Sequence, residues 1–364
     1  MQQLAEGLIA ADHQVCVVGV YNNAKDSDDV INGVRVIRLK KTVGGLLSGL
    51  RDRVRISRAV RSLERAQRLD IVEAPEWAGE SALLHTNARV ILRLHSSHRA
   101  GRVILGLRPS FITSLYEQIA LQRADHVCSV SYAVVRQTAD VFPSFKRRIA
   151  SQPFLVIPNG VDTQTFHPLP EVVRRNDEIV FVGSIKPLKG IGYLLQAFER
   201  INKEWPCTLA IYGSDSRTAD GSSYLDSELA RISEVARHNV HYKGRVARSA
   251  LPAVYSSATM AIFPSLAEAF PLVCLEAMAC GTPVIFSTCG PHTEIIDNGT
   301  SGLFCEARDP DNIAQKALTL FRNKALRESI SSEARIKVCK QFEWNELLAR
   351  NIRFYDAVVR GAGT

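Results

Sequence analysis

Residues 260–286 read MAIFPSLAEAFPLVCLEAMACGTPVIF, and this stretch decides the fold. The apolar run Met260–Phe263 predicts a buried strand, the residues from Pro271 predict a helix, and Pro283–Phe286 predicts a second strand. Proline is well placed as the first residue of a helix. Because strands that alternate with helices are typical of parallel sheets, the stretch predicts an α/β fold.

The same alternation runs through the rest of the chain and predicts two doubly wound domains in tandem. A length of 364 residues fits two domains of ordinary size. Further strands are predicted at Val15–Val20, Ile71–Glu73, Val90–Leu94, His126–Ser129, Glu178–Val182, Thr208–Tyr212 and Val240–Lys243. Further helices are predicted at Gln3–Ala11, Leu50–Leu69, Pro109–Arg123, Ile191–Asn202, Ser223–Arg237 and Leu251–Ser257, with a helical tail from Asp309.

Four segments follow from this pattern. We expect an amino-terminal domain at 1–162, a polar, proline-bearing linker at 163–176, a second domain at 177–342 and a final helix at 343–364. A doubly wound domain normally opens with a strand and a glycine-bearing turn, whereas this chain opens on a predicted helix. Either the start codon is misplaced or the amino-terminal domain lacks its first strand and glycine-rich loop.

The composition is that of a globular protein, with 46% hydrophobic and 23% charged residues. No apolar run is long enough to cross a bilayer, and the first ten residues lack the features of a signal peptide, so we expect a cytoplasmic protein. The eight cysteines form no CxxC pair, which favours reduced core residues over a metal or disulfide framework.

The net charge of +8 arises in the first half of the chain. Residues 1–160 hold 22 Lys and Arg against 14 Asp and Glu, whereas residues 161–364 hold 23 against 23. We therefore expect no nucleic-acid partner. The richest stretch, 50–69, carries Arg51, Arg53, Arg55, Arg58, Arg61, Arg65 and Arg68 at roughly helical spacing. This helix either has a solvated face or contacts anionic lipid headgroups or an anionic acceptor.

Two loops that follow strands in the second half carry candidate binding residues. The first loop runs from Gly183 and Ser184 to Lys189, just before a helix begins. Backbone amides at a helix start and a nearby lysine are suited to a diphosphate. The alternative is an ordinary strand–helix turn with a surface lysine.

The second loop contains an E-x7-E pair, Glu268 and Glu276. Glu276 falls among apolar helix residues, where an unpaired carboxylate is costly, and it is suited to accept hydroxyls such as a ribose diol. Glu268 precedes the helix and would bind hydroxyls of a sugar, while the amides of Phe270, Leu272 and Val273 would face a phosphate. The alternative is a helix with one capping and one surface glutamate.

In the first half, His95 ends a strongly apolar strand, and Glu73, Glu76 and Trp77 end another. A strand-end histidine is a fair ligand contact, although most single histidines are structural. A tryptophan beside two carboxylates can stack on a sugar ring and bind its hydroxyls, so these residues are acceptor candidates. Packing of Trp77 against a helix is equally consistent with the sequence.

Three segments resemble the retaining glycosyltransferases of family 4: VIPNGVDTQTFHP at 156–168, FVGSIKPLKGIGYLLQAF at 181–198 and FPSLAEAFPLVCLEAMACGTPVI at 263–285. The resemblance implies the GT-B fold, in which two Rossmann-like domains face a central cleft. It also implies transfer of a sugar from a nucleotide-diphosphate sugar, as co-substrate, without a metal or another cofactor. The acceptor would attack from the front side, and a phosphate oxygen of the leaving group would take its proton.

The resemblance also implies roles for individual residues. Glu276 would bind the donor ribose, Glu268 the donor sugar, and Lys189 the diphosphate. His95 matches the family's strand-end histidine near the exocyclic hydroxyl of the sugar. The turn Gly244, Arg245 and Val246 would touch the base. Catalysis would thus rest on His95, Glu268 and Lys189.

Ser184 departs from the family pattern, because family members usually carry an arginine there that contacts the diphosphate. Lys186 lies two residues further on, but a lysine does not make bidentate contacts. With the missing first strand, this keeps open a non-catalytic sugar-nucleotide-binding protein; an epimerase or a phosphorylase fits less well. The expected acceptor is a saccharide or a lipid-linked saccharide in polysaccharide or glycolipid synthesis, with peripheral contact to the inner membrane face through Arg51–Arg68.

Overall fold

The computed structural model describes residues 2–22, 25–44, 47–151 and 154–361. Contacts divide the chain into two units, the first comprising Met1–Ile157 with Glu346–Thr364 and the second Pro158–Asn345. Within the described ranges, no helix combines the length and the apolarity needed to pass through a bilayer.

The described strands of the first unit form two sheets. The strands are β1 (Cys16–Tyr21), β2 (Ser27–Ile31), β3 (Val34–Lys40), β4 (Ile71–Pro75), β5 (Arg89–Leu94), β6 (His126–Ser129) and β7 (Leu155–Val156). One sheet has the order β1-β3-β2, with β1 parallel and β2 antiparallel to β3. The other has the order β4-β5-β6-β7 and is parallel throughout. The sequence had indicated one doubly wound sheet, and the antiparallel β2–β3 hairpin was not predicted.

The helices of the first unit begin with α1 (Gln2–Ala10), α2 (Ser48–Ala66), α3 (His98–Ile104), α4 (Phe111–Arg123), α5 (Tyr132–Val141) and α6 (Pro143–Ser151). A short 3₁₀ segment, Trp77–Leu83, follows β4. The core of the parallel sheet includes Ile91 and Cys128, which pack with Phe354 and Val358 from the final helix of the chain. The first unit is therefore built from both ends of the sequence.

The second unit contains β8 (Glu178–Val182), β9 (Thr208–Tyr212), β10 (Val240–Gly244), β11 (Met260–Phe263), β12 (Val284–Ser287) and β13 (Leu303–Cys305). Its helices are α7 (Ile191–Glu204), α8 (Tyr224–Leu229), α9 (Glu234–His238), α10 (Leu251–Ser257), α11 (Leu272–Ala279), α12 (His292–Ile295), α13 (Pro310–Arg322) and α14 (Lys324–Gln341). The final helix, α15 (Trp344–Arg360), crosses the boundary at residue 345 and packs on the first unit.

All described strands of the second unit run parallel, in the order β10-β9-β8-β11-β12-β13. From β8 the chain builds outward to β9 and β10, then returns to place β11 on the other side of β8. The strand order therefore reverses between β8 and β11. Such a switch point opens a crevice at the carboxyl ends of the two strands, where open α/β sheets bind ligands.

Two local predictions in the second unit differ from the structure. The helix predicted at Ser223–Arg237 is interrupted, because Ser233 Oγ accepts a hydrogen bond from Ala236 N at 3.4 Å and starts α9 separately. Pro271 precedes α11 as its N-cap, with ψ of 107°, rather than serving as its first helical residue.

The segment expected to be a linker, 163–176, lies within the second unit. Leu169 N donates to Ser256 Oγ at 3.2 Å, and Arg175 N donates to Ser257 O at 2.8 Å. These bonds fix the segment along α10, so it packs as part of the unit rather than as a free connection.

Candidate active site

The loops after β8 and β11 meet at the switch point of the second unit. Leu266 N donates to Leu188 O at 2.8 Å, which joins the two loops through their backbones. Gly190 adopts a φ of +70°, and a Cβ there would lie 1.9 Å from Pro264 O. Glycine is therefore required at this position, since any side chain would push the loops apart.

Lys189 and Glu268, which lie 79 residues apart in the sequence, contact each other in this crevice. Lys189 Nζ donates to Glu268 Oε1, and Ser265 Oγ donates to the same oxygen at 2.8 Å. Both charged side chains are largely buried, with 21% and 10% of their surfaces exposed. The structure thus brings together the two residues that the sequence assigned to a phosphate and to a sugar.

Glu276 lies on α11, and its side chain is only 5% exposed. Arg248 donates to Glu276 Oε1 twice, from Nη2 at 2.9 Å and from Nε at 3.2 Å. Burial raises the pKa of Glu276 above its ordinary value, although the charge of Arg248 opposes that rise. Within the described residues, both contacts fall on Oε1 and Oε2 accepts no hydrogen bond.

Sequence analysis missed Arg248, which starts a short 3₁₀ helix, Arg248–Ala250, after β10. Its guanidinium lies 5.2 Å from the ring centroid of Phe166 and is half-exposed. The only available signal was its place just after the turn at Gly244, at the same edge of the sheet. A partner for the buried carboxylate was needed, but the sequence did not show which cation supplies it.

The start of α11 lies beside this pair. Leu272 and Val273 form its first turn and are half-buried, whereas the side chain of Phe270 is buried against Phe342, with ring centroids 5.6 Å apart. Asn159 Nδ2 donates to Phe270 O at 3.4 Å. The loop before the helix is thereby fixed at both its backbone and its aromatic side chain.

The turns after β8, β9 and β10 approach one another at the same edge. Gly213 N donates to Gly244 O at 2.8 Å, and a Cβ on Gly213 would lie 1.8 Å from Gly183 O. Arg245 and Val246 are exposed beyond Gly244. Ser184 and Lys186 are also exposed. The roles proposed for these residues remain predictions.

In the first unit, His95 follows β5, and its backbone N donates to both carboxylate oxygens of Glu76 at 2.8 Å. Glu76 is fully buried, and burial raises its pKa to about 7. Burial and the charge of Arg93 lower the pKa of His95 to about 4, so the imidazole is neutral near pH 7. Ser96 adopts a φ of +94°, a strained conformation that the Glu76 contacts hold in place.

Glu73 makes a bidentate ion pair with Arg93, with Nε–Oε1 and Nη2–Oε2 distances of 2.8 and 2.9 Å. Tyr355 Oη donates to Glu73 Oε2 at 2.8 Å, and Arg93 Nη2 also donates to Asn351 Oδ1 at 2.7 Å. Although burial opposes ionisation, the charge of Arg93 and these bonds keep the pKa of Glu73 below its ordinary value. Both oxygens bind protein groups, which favours a structural role over acceptor binding.

Trp77 is 49% exposed and makes an edge contact with the His98 ring, with centroids 5.6 Å apart. Its role in acceptor binding remains a prediction. The carboxylates of Glu73 and Glu76, in contrast, accept hydrogen bonds from protein groups at both oxygens. The cluster at the end of β4 therefore separates into two internal carboxylates and one surface aromatic ring.

The arginines of α2 also differ from one another. Arg53 is buried, donates to Gly49 O at 2.7 Å and lies 3.9 Å from the ring centroid of Tyr116. Arg55 pairs with Asp26 at 2.7 Å. The exposed arginines of the 51–68 stretch are Arg51, Arg58, Arg61 and Arg65 on α2 and Arg68, which lies beyond the end of the helix at Ala66. Arg53 and Arg55 therefore support the fold, and membrane contact through the other five arginines remains a prediction.

In the parts of the chain that the structure describes, no three His, Cys, Asp or Glu side chains converge as a set of metal ligands.

Two family models match the sequence. Residues 1–165 match the model described as Glycosyltransferase Family 4, and residues 176–323 match the model described as Glycosyl transferases group 1. The two matched ranges together span most of the chain, and they divide it close to the boundary between the two units.

Several curated proteins are similar over most of the chain. An uncharacterised glycosyltransferase of Methanocaldococcus jannaschii is 26% identical, covering 99% of this chain and 94% of that protein. A glycogen synthase of Mycobacterium tuberculosis is 25% identical and covers 99% and 91%. A D-inositol 3-phosphate glycosyltransferase of Geodermatophilus obscurus is 28% identical and covers 79% and 66%.

Solved structures share the fold. Sucrose-phosphate synthase from Thermosynechococcus elongatus superposes with a TM-score of 0.83 at 21% identity, covering 99% of this chain and 92% of that one. HepE of Anabaena, in complex with UDP-glucose, gives a TM-score of 0.72 at 17% identity and covers 90% and 87%. The fold is therefore of the GT-B type.

Proposed function

Because the chain belongs to the glycosyltransferases of group 1 and family 4, we propose that it is a retaining, metal-independent enzyme. Its donor is a nucleotide-diphosphate sugar, and its acceptor is a hydroxyl of a saccharide or lipid-linked saccharide. The Lys189–Glu268 contact at the switch point supports the proposal most directly, because a cation and a carboxylate lie side by side in one crevice.

Lys189 is the diphosphate-binding group in this proposal. Lys189 directly precedes Gly190, the N-cap of α7, where backbone amides favour an anion. Glu268 holds Lys189 in place through one oxygen, and Ser265 fixes that oxygen from the other side. A diphosphate carries more negative charge than one carboxylate and would compete for the lysine, leaving Glu268 to bind sugar hydroxyls.

Glu276 is the ribose-binding group. Arg248 orients the carboxylate through Oε1, which leaves Oε2 to accept a hydroxyl. Burial raises the pKa of Glu276, and the charge of Arg248 opposes that rise and so favours the ionised form. An ionised carboxylate accepts hydroxyl hydrogen bonds more strongly than a neutral group.

The proposed reaction proceeds by front-side attack, as the family resemblance implies. The bond between the anomeric carbon and the diphosphate oxygen breaks, and the acceptor oxygen bonds to the same face of that carbon. The proton of the acceptor hydroxyl passes to a phosphate oxygen of the leaving group. The protein's part is electrostatic, since Lys189 stabilises charge that develops on the diphosphate. The contribution of His95 rests on the resemblance alone.

The relatives support a nucleotide-sugar donor and a carbohydrate product. HepE shares the fold and contains UDP-glucose, while similar sequences include a glycogen synthase and an inositol phosphate glycosyltransferase. We propose further that the chain acts in polysaccharide or glycolipid synthesis at the cytoplasmic side of a membrane.

A second candidate function is non-catalytic binding of a nucleotide sugar. The exposed Ser184 favours it, because family members usually carry a diphosphate-binding arginine there. Both candidate functions predict that the chain binds the donor, but only the first predicts that it consumes the donor.

A panel of nucleotide sugars tests the proposal, with thermal shift reporting binding and released nucleotide reporting turnover. We expect one donor to stabilise the chain and to be consumed, with or without a chelator, and the Glu276→Ala variant to lose both effects. Glu333→Ala, which changes an exposed glutamate on α14, is the matched control. Product with inverted anomeric configuration contradicts the retaining mechanism. Binding without turnover favours the second candidate, and no binding by any donor rejects both.

A further inference from the structure

Six exposed apolar side chains of the first unit lie in one short stretch, His98–Leu115, which we call the apolar segment. It comprises α3, the loop after it and the start of α4. Its large exposed apolar residues are Val103, Leu105, Leu107, Phe111, Ile112 and Leu115. Phe111 is 81% and Ile112 is 54% exposed. Single exposed apolar residues are ordinary, but six within 13 residues indicate an interaction surface.

The apolar segment carries positive charge and no negative charge. Its sequence, HRAGRVILGLRPSFITSL, contains Arg99, Arg102 and Arg108 but no Asp or Glu. Arg108 is exposed, and its carbonyl oxygen accepts from Arg102 Nε at 2.7 Å, which ties α3 to the loop. Arg99 lies 5.2 Å from the ring centroid of Phe142. The arginines are therefore interleaved with the apolar side chains on one segment.

The apolar segment is held firmly from the inner side. Glu117 is fully buried and accepts from the backbone N of His98 at 2.6 Å and of Arg99 at 3.1 Å. Ser97 Oγ accepts from Ala100 N at 3.0 Å, and Ser110 Oγ accepts from Thr113 N at 3.3 Å. These bonds cap both helices, so the outward apolar side chains belong to a fixed surface.

We propose that the apolar segment binds the surface of a bilayer that contains anionic lipids. Apolar side chains enter the region between headgroups and acyl chains, and arginines pair with the anionic headgroups. A two-fold contact between copies of the chain would instead bring the arginines of one segment against those of the other. The proposed function concerns the reaction, whereas this proposal concerns a lipid-binding surface and goes beyond it.

The arginines of α2 fit this role less well. Arg58, Arg61 and Arg65 are exposed, but the apolar residues between them, such as Ile56 and Val60, are buried in the unit. Around Arg58, Arg61 and Arg65, α2 therefore offers charge without large exposed apolar side chains, whereas the exposed Leu47 and Leu50 lie at its start. Lipid binding through this part of α2 would rest on charge alone, so it should be weaker than binding through the apolar segment and should fall as salt is added.

Vesicle co-sedimentation of the full chain, without donor, tests the proposal. We expect binding to vesicles of equal parts phosphatidylglycerol and phosphatidylcholine, and weaker binding to phosphatidylcholine alone. Phe111→Ser with Ile112→Ser should lower partitioning at least about tenfold, because the inserting side chains are removed. Arg108→Gln should lower it about fivefold on anionic vesicles only.

Matched controls separate the apolar segment from general surface effects. Val173→Ser changes an apolar residue of the second unit that is 85% exposed, and Arg61→Gln changes an exposed arginine of α2. Both should sediment like the unaltered chain. Since Phe111 and Ile112 are exposed, their replacement should leave the circular dichroism and the melting temperature nearly unchanged. Should the double variant unfold, Arg108→Gln still decides the question.

Trp77 supplies an independent readout, because it lies against His98 at the start of the apolar segment. Because Trp205 and Trp344 also emit, the part of the emission that Trp77→Phe removes should shift to the blue on anionic vesicles and be quenched by brominated lipid. Equal sedimentation of the double variant and the unaltered chain would overturn the proposal, as would no binding to either vesicle. A larger loss with Arg61→Gln than with Arg108→Gln would move the contact to α2. Loss of self-association in the double variant would instead identify a contact between copies.

Discussion

The sheet edges of the two units both carry carboxylates after parallel strands, but these carboxylates have different partners. In the second unit, Glu268 pairs with the largely buried Lys189, and Glu276 pairs with the half-exposed Arg248. In the first unit, Glu73 and Glu76 have both oxygens occupied by protein groups. A carboxylate with one paired oxygen is oriented and can still bind a ligand through the other oxygen, whereas a carboxylate with two paired oxygens supports the fold.

The largest effect that would test this contrast is expected at Glu73. Glu73→Ala leaves the Arg93 charge buried without its partner, so the free energy of unfolding should fall by about 3–5 kcal/mol. Chemical denaturation measures this. Adding Arg93→Met should restore most of the loss, whereas Asp70→Ala, which breaks an exposed pair with Arg68, should cost less than about 1 kcal/mol. A stable Glu73→Ala variant with weaker acceptor use would return Glu73 to the acceptor site.

The next effect is expected at Lys189. Lys189→Ala removes the cation that we propose to bind the diphosphate, and kcat/KM for the donor should fall about a hundredfold. Steady-state kinetics measures it. Lys186→Ala is the matched control, because Lys186 is exposed in the same loop, and it should change the rate less than about threefold. Equal losses in both variants would show that Lys186 substitutes for the family's arginine.

A third effect concerns pH and His95. Its folded pKa of about 4 lies below the ordinary 6.5, so the unfolded chain binds a proton first as the pH falls. The contribution of His95 to stability is therefore full above pH 6.5 and is lost as the pH falls toward 4. Between pH 7.5 and pH 5 the loss amounts to about 2 kcal/mol.

Denaturation of the unaltered chain and of His95→Gln at both pH values measures this contribution. Glu76 titrates in the same range with the opposite sign, because its pKa is raised. Both proteins retain Glu76, so the difference between them isolates His95. Parallel pH profiles would show that His95 is not held neutral by its surroundings.

The smallest effect is expected at Arg248, which acts through Glu276. Without Arg248, burial raises the pKa of Glu276 further, and less of it is ionised at low pH. Arg248→Met should therefore bind donor about tenfold more weakly near pH 6 and regain affinity as the pH rises. Calorimetric titration measures this, with Lys243→Met, an exposed cation of β10, as the control. A loss that does not depend on pH would mean that Arg248 contacts the donor itself.

The strands of the second unit were the easiest part of the fold to predict. Glu178–Val182, Thr208–Tyr212 and Met260–Phe263 match the structure residue for residue. Each is a short apolar run between turn residues, and each is buried in a parallel sheet, so local sequence and tertiary packing favour the same structure.

The β2–β3 hairpin was missed although the sequence contained its signal. Asn32 and Gly33 adopt φ angles of +50° and +81°, as a two-residue turn between strands requires. The alternation of Val30, Val34 and Val36 around them is the usual companion of such a turn. The hairpin departs from the strand–helix alternation of the rest of the chain, which predicts parallel pairing.

The pairing of charged residues was harder to predict. Lys189 and Glu268 were candidates because each follows a predicted strand, and the structure then brings the ends of these two strands together at a switch point. Arg93 lies inside a strand and meets Asn351 and Tyr355 from the final helix, which local sequence does not indicate. Which arginine neutralises which carboxylate is set by long-range packing.

The final helix, α15, has a consequence for biosynthesis. Leu347, Phe354 and Val358 complete a core whose other members, Ile91, Cys128 and Ile157, are translated much earlier. The second unit has all its residues by Asn345, so it can fold while the ribosome is still adding the end of the chain. The first unit cannot complete this core until Leu347, Phe354 and Val358 have been translated, and a product terminated before them would leave its apolar interior open to chaperones and proteases.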